Sequence, residues 1–193
     1  MSDFQFTDPV VTRKKFEIEL DKFISGRDHY RKLGVILLEA EYPNLYFGFI
    51  ATEVNPKALV FAVKINFLNY DAEPLSVQFV DPLSFRPLMT NQVGTSLPRK
   101  LENSPQPQQL LQAELDNIPF FCIPGVREYH AHPFHNGDSW FLHRSTGVGT
   151  LCFLLDNLQL YGTSHIKAYA SKIAVNFNFK NAGMLLVSED LPL

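Results

Sequence analysis

A chain of 193 residues, 46% hydrophobic and 13% aromatic, is long enough for one packed domain with a core of its own. Its formal net charge of −3, with no basic run beyond "TRKK" at 12–15, lacks the positive footprint of a nucleic-acid binder, and no stretch approaches the ~18 apolar residues of a membrane span. The opening "MSDFQFTDPVV" has neither the basic nor the apolar region of a signal peptide, so we expect a cytoplasmic single domain over 1–193, its two cysteines being thiols or ligands rather than a disulfide.

The first predicted element is a helix. Asp8 suits its N-cap, Pro9 its first turn, Phe16, Leu20, Phe23 and Ile24 share one face, and Gly26 ends it. The runs "LGVILLEA" and "NLYFGFIA", broken by "EYPN", predict a hairpin. Leu59, Phe61, Val63, Ile65 and Phe67 then alternate with smaller or polar residues, which buries one face of a third strand. "LSVQFV" at 75–80 gives a fourth strand, and "DPLSFRPL" an extended, proline-bearing surface segment. These elements read as α+β, with an N-terminal helix before a four-stranded antiparallel meander.

The polar passage 91–109 is too poor in large apolar groups to bury much and reads as a mobile loop. A short helix is expected around "QQLLQAEL". Further on, Leu151, Leu154, Leu155 and Leu158 have helical spacing, so a buried C-terminal helix follows the histidine-rich segment. "KIAVNFNFK" alternates like a strand.

Four of the six histidines fall within the fourteen positions from His130 to His143. The spacing is C-x5-E-x-H-x-H-x2-H-x7-H, from Cys122 through Glu128, His130, His132 and His135 to His143. In an extended backbone Glu128, His130 and His132 face one side, with Cα atoms ~6.5–7 Å apart along it. Pro133 then turns the chain, which brings His135 back toward the same point, and Cys122 arrives from upstream. Mixed thiolate and imidazole donors suit zinc at four-coordinate geometry; histidines with Glu128 and no Cys122 suit iron or manganese better. The candidate ligands are therefore Cys122, Glu128, His130, His132 and His135. Cys122 also reads as a nucleophile activated by a neighbouring imidazole. Asp138 reads equally as a carboxylate fixing an imidazole tautomer or as a turn residue, His143 as a ligand-orienting group, and His29 and His165 as structural. Cys152, between Leu151 and Phe153, is expected to be an inert buried thiol.

The run "CIPGVREYHAHPFHNGDSWFLHR" at 122–144 resembles the predicted metal-binding family of bacteria known by a Cys-Glu-His-His signature. Members of that family are encoded beside ubiquitin-like proteins, activating-type and conjugating-type enzymes and a JAB-type metallopeptidase. The resemblance implies a signature on Cys122, Glu128 and two of His130, His132 and His135. The whole chain is also similar in outline to the ubiquitin-conjugating enzyme fold: a leading helix, a meander ending in "ALVFAVKINFLNYDAEPLSVQFVDP", a proline-rich passage and a His-Pro pair. In that family a His-Pro-Asn motif precedes the thioester cysteine by about ten residues. Here Phe134 follows His132-Pro133, and Cys152 lies twenty positions beyond His132.

Three functions follow as expectations. The first is a zinc-binding accessory protein of a bacterial ubiquitin-like modification pathway, partnered by the ubiquitin-like protein or its activating or conjugating enzymes. The second is a zinc hydrolase with Glu128 as base. The third is a thioester-forming conjugating enzyme using Cys122 or Cys152.

Overall fold

The computed structural model describes residues 4–102, 104–113 and 116–168. The expected strand at 172–180 lies outside them. Helix α1 (Pro9–Ser25) starts where the sequence places it: the Asp8 carboxylate accepts from the Val10 N–H at 2.8 Å, Pro9 opens the first turn, and Gly26 follows as C-cap. Phe16 and Phe23 are buried on its inner face, while Ile24 is exposed. A second short helix, α2 (Arg27–Lys32), follows without a sequence signal of its own.

Four antiparallel strands form one sheet in the order β1 (Val35–Glu41), β2 (Asn44–Ala51), β3 (Ala58–Asn66) and β4 (Ser76–Val80). Alternation fixes which face is buried, and register puts the buried residues opposite one another. Leu45, Phe47 and Phe49 pair with Ile65, Val63 and Phe61, and Val63 and Ile65 pair with Phe79 and Val77. Helix α1 closes this face, with Phe23 edge-on to Phe47 at 5.0 Å and Phe16 edge-on to Phe67 at 5.1 Å. Helix α4 (Leu151–Gly162) packs beside it through Leu151, Leu154, Leu155 and Leu158, all fully buried. Each such side chain adds about 1.5–3 kcal/mol of transfer free energy. The two helices are also joined by a polar contact: Glu19 of α1 accepts from the Leu151 N–H at 2.8 Å, at the first turn of α4.

Two segments depart from expectation. "DPLSFRPL" folds back instead of running extended, because the Asp81 carboxylate gathers the Leu83 and Ser84 N–H groups and the Ser84 hydroxyl into a turn. Residues 108–113 hold strands where a helix was expected. β5 (Pro98–Arg99) pairs with β6 (Gln108–Gln109), and β7 (Leu111–Ala113) with β8 (Pro119–Phe121). The reason is tertiary: Leu110 is buried and bonds Leu97 O, and Leu111 bonds Ser96 O, so neighbouring chain takes the backbone groups that a helix would have used internally. The β8 strand delivers Cys122.

Candidate thiol–imidazole site

The histidine segment leaves the scaffold at Gly125 and returns at Gly149, both at positive φ (90° and 76°). The two glycines touch: a Cβ on Gly125 would lie 2.6 Å from Gly149 Cα, so neither position admits a side chain. Between them the chain forms helix α3 (Arg127–Ala131) and two single turns of 3-10 helix, Pro133–His135 and Trp140–Leu142.

Helix α3 replaces the extended backbone expected through Glu128, His130 and His132, and this correction redistributes the cluster. In a helix, residues two apart do not share a face. Glu128 turns to the sheet, where its carboxylate accepts from the Ser76 hydroxyl at 2.5 Å and the Val77 N–H at 3.1 Å. The residue keeps some solvent exposure, yet desolvation raises its carboxyl above the usual glutamate range against the pull of those two donors. His130 turns the other way. Its Nε2 accepts from the Gly125 N–H at 3.1 Å, so Nδ1 carries the proton and donates to Asp138 O at 2.7 Å. Both ring nitrogens are thus committed, and desolvation holds the imidazole neutral by lowering its pKa. Among the described residues no three His, Cys, Asp or Glu side chains converge as a cation would require. The five candidate ligands therefore divide, with Glu128 and His130 holding the loop.

What the fold does bring together is Cys122 and His135. The Cys122 N–H bonds Leu110 O at 2.8 Å, which fixes the cysteine beyond β8, and the turn at Pro133–His135 returns the imidazole. Cys122 Sγ and His135 Nε2 lie 3.4 Å apart. Both groups are half-buried, and desolvation acts on each toward neutrality: it raises the Cys122 thiol, opposed by the Arg99 guanidinium on β5, and lowers the His135 imidazole, as does the neighbouring His132. The pair is a thiol beside a neutral imidazole, not a preformed thiolate–imidazolium. His132 lies next to it, ring centroids 5.8 Å from His135, and stacks on Phe120 at 5.1 Å.

Asp138 serves both of its readings: its N–H closes a turn on His135 O at 2.9 Å, and its carboxylate takes His143 Nε2 at Oδ1 (2.5 Å) and the Tyr129 hydroxyl at Oδ2 (2.8 Å). The hydrogen bond from His143 is the main reason its pKa is lowered. Tyr129 and Arg99 are the residues that sequence reasoning missed. Tyr129 sits inside the motif, on the helix the extended reading did not foresee; Arg99 arrives from a ribbon more than twenty residues upstream and leaves no local signal. Cys152 stands on α4 against Tyr30, half-buried, where its hydrogen bond adds to the desolvation that raises the Tyr30 hydroxyl. A cavity of about 600 Å³ is bordered by Ala51, Val60, Thr95, Ser96 and His165, and its described lining does not include the thiol.

A model of the Y4jH family (Y4jH-like) matches residues 7–108 and 100–166. The chain is 34% identical to the y4jH protein of Sinorhizobium fredii (strain NBRC 101917 / NGR234), over 208 aligned positions that take in the whole of both chains.

Proposed function

The chain belongs to the Y4jH family, and we propose that it serves a bacterial ubiquitin-like modification pathway as a conjugating-enzyme-like protein whose Cys122 carries an acyl group as a thioester. The observation that carries this reading is the 3.4 Å approach of Cys122 Sγ to His135 Nε2. The element order supports it: a leading helix, an antiparallel meander, a thiol-bearing segment and a closing helix follow the outline of the conjugating-enzyme resemblance. The partner is a ubiquitin-like protein with an activated C-terminal carbonyl, supplied as an acyl adenylate or as an upstream thioester. Cys122 Sγ attacks that carbonyl carbon while its proton passes to His135 Nε2. The bond to the leaving phosphate oxygen or sulfur breaks, and the proton on His135 is given up to the leaving thiolate or to solvent. Burial keeps the resting thiol protonated, so its nucleophilicity develops only when the imidazole takes the proton in a docked complex. We place the protein in the cytoplasm, where reducing conditions preserve the thiol; no helix among the described residues is long and apolar enough to cross a membrane.

Incubation with a ubiquitin-like protein charged by its activating enzyme is expected to give a covalent adduct that reducing agent removes. Cys122→Ser abolishes it and Cys152→Ser does not. Absence of the adduct with wild-type protein defeats the proposal.

A second reading, zinc held in an accessory role, is favoured by one fact: a neutral imidazole and a thiol already at a separation two donors to one ion require. Elemental analysis of natively purified protein then finds about one zinc per chain, lost in both Cys122→Ser and His135→Ala. A fully folded protein without zinc removes this second reading.

A further inference from the structure

His135 is held in an unusual way. An imidazole that works through one ring nitrogen is ordinarily oriented by a hydrogen bond at the other, from a carboxylate or a carbonyl. Among the described residues His135 makes its only ring hydrogen bond at Nε2, to Cys122. What lies against the ring instead is Tyr129, stacked face to face with centroids 3.9 Å apart and planes at 22°, the shortest ring contact among the described residues. The Tyr129 ring is itself fixed at both ends. Its backbone belongs to α3, which Glu128 ties to β4, and its hydroxyl donates to Asp138 Oδ2 at 2.8 Å. Asp138 is held in turn by His143 through Oδ1. A carboxylate that would normally orient the histidine directly has thus been moved back by one aromatic ring.

We propose that Tyr129 is a positioning residue for the Cys122–His135 pair, which keeps the imidazole edge aimed at the thiol by stacking, with Asp138 and His143 fixing the tyrosine from behind. The proposal rests on the thiol–imidazole reading above but not on the acyl partner. It accounts for two features of the segment at once: the tyrosine between Glu128 and His130, and the Asp138–His143 side-chain pair, which among the described residues makes no hydrogen bond to the Cys122 thiol or the His135 ring. An aromatic plate restrains the tilt of the ring while leaving Nδ1 free, so the imidazole can receive a proton at Nε2 without first breaking a bond on its other side.

The test uses the full chain carrying Cys152→Ser, so that iodoacetamide reports Cys122 alone, together with the ring resonances of His135 by nuclear magnetic resonance. In this background His135→Ala is expected to slow alkylation about tenfold or more. Tyr129→Leu should slow it by about the same factor as His135→Ala and remove the upfield ring-current shift of the His135 ring protons. The double variant Tyr129→Leu/His135→Ala should be no slower than either single one. Tyr129→Phe keeps the plate but loses its anchor on Asp138, and is expected to keep an upfield ring-current shift with broadened His135 signals and a rate between those of the parent and Tyr129→Leu. Should Tyr129→Leu fail to fold, Asp138→Ala replaces it: removal of the hydroxyl's anchor shifts or broadens the His135 signals and slows alkylation. Wild-type signals and rate in Tyr129→Leu, or in Asp138→Ala where the former does not fold, overturn the proposal. So do additive losses in the double variant. Because iodoacetamide needs no acyl partner, coupling that persists with no thioester formed sustains the positioning role while the conjugating role falls. A thioester formed without the coupling does the reverse.

Discussion

Replacing Glu128 by glutamine keeps both of its contacts to β4 within reach, since the new amide oxygen accepts from the Val77 N–H and its NH2 donates to the Ser76 hydroxyl. Glu128→Gln is therefore expected to lie within about 1 kcal/mol of wild type near neutral pH. Glu128→Ala strands two donors at the sheet edge and costs about 1–3 kcal/mol. The pH dependence has a definite sign. Burial raises the Glu128 carboxyl above its unfolded value, so its contribution to stability is full below the ordinary glutamate range and is lost as pH rises through the folded pKa. Urea unfolding near pH 4.5 and near pH 7.5 should show wild type losing ground to Glu128→Gln on the alkaline side; a constant difference between the two would show that the carboxyl is not raised. The same residue explains a misreading. Its two-residue spacing from His130 puts both on one side of a strand, but on opposite sides of a helix, and nothing in the seven residues between Gly125 and Pro133 decides between the two.

Helix α4 shows how one element's end can depend on another's face. Thr150 caps it weakly, its hydroxyl accepting from Phe153 N–H at 3.4 Å, while Glu19 on α1 takes the Leu151 N–H at 2.8 Å. Glu19→Ala leaves that donor buried and unmatched at a helix N-terminus, and should cost about 1–3 kcal/mol in urea unfolding. Lys22 also pairs with Glu19, at 2.6 Å, but its side chain is 55% exposed. Lys22→Ala is expected to cost under about 0.5 kcal/mol, and equal losses in the two variants would contradict the capping role. Elements of this kind differ in how readily the sequence discloses them. Strand β3 was legible because Phe61, Val63 and Ile65 alternate with partly exposed or small neighbours, and α4 because four leucines recur at helical spacing. Strands β7 and β8 were not, because Leu110 and Leu111 look the same in a short helix and in a ribbon until Leu97, Ser96 and Phe121 are known to lie across from them. For the site, the motif disclosed which residues gather in the segment. The meeting of Cys122 with His135 depends on the turn at Pro133–His135, and the commitment of His130 depends on the Gly125 N–H; both are tertiary facts.

The site segment is tied to the body of the molecule through the β3–β4 connection and β4. Arg127 gives its guanidinium to the Leu68 and Pro74 carbonyls, Glu128 binds Ser76, and Trp140 Nε1 donates to Asp71 O at 2.9 Å. Trp140 is the chain's single tryptophan and is buried. Its fluorescence therefore reports the site segment, while far-ultraviolet circular dichroism is weighted toward α1 and α4. Since these elements share one core, the two urea transitions should superimpose. A fluorescence midpoint well below the dichroism midpoint would mean that the site opens as a separate unit.

The contact between Gly125 and Gly149 gives the segment between them a property of a different kind. Chain that leaves and re-enters a scaffold at one point can be lengthened, shortened or replaced without re-threading any strand, and doubling such a loop costs only about 0.6 kcal/mol in closure entropy. The sheet and its two covering helices are thus a chassis, and the thiol's partner His135 rides on an exchangeable cassette. A replacement would have to keep the two glycines at its base and the seats for Arg127, Glu128 and Trp140. Only the exposed side chains in between that serve neither the Cys122–His135 pair nor its supports, Phe134 and Leu142 among them, are free to be rewritten for a new incoming molecule.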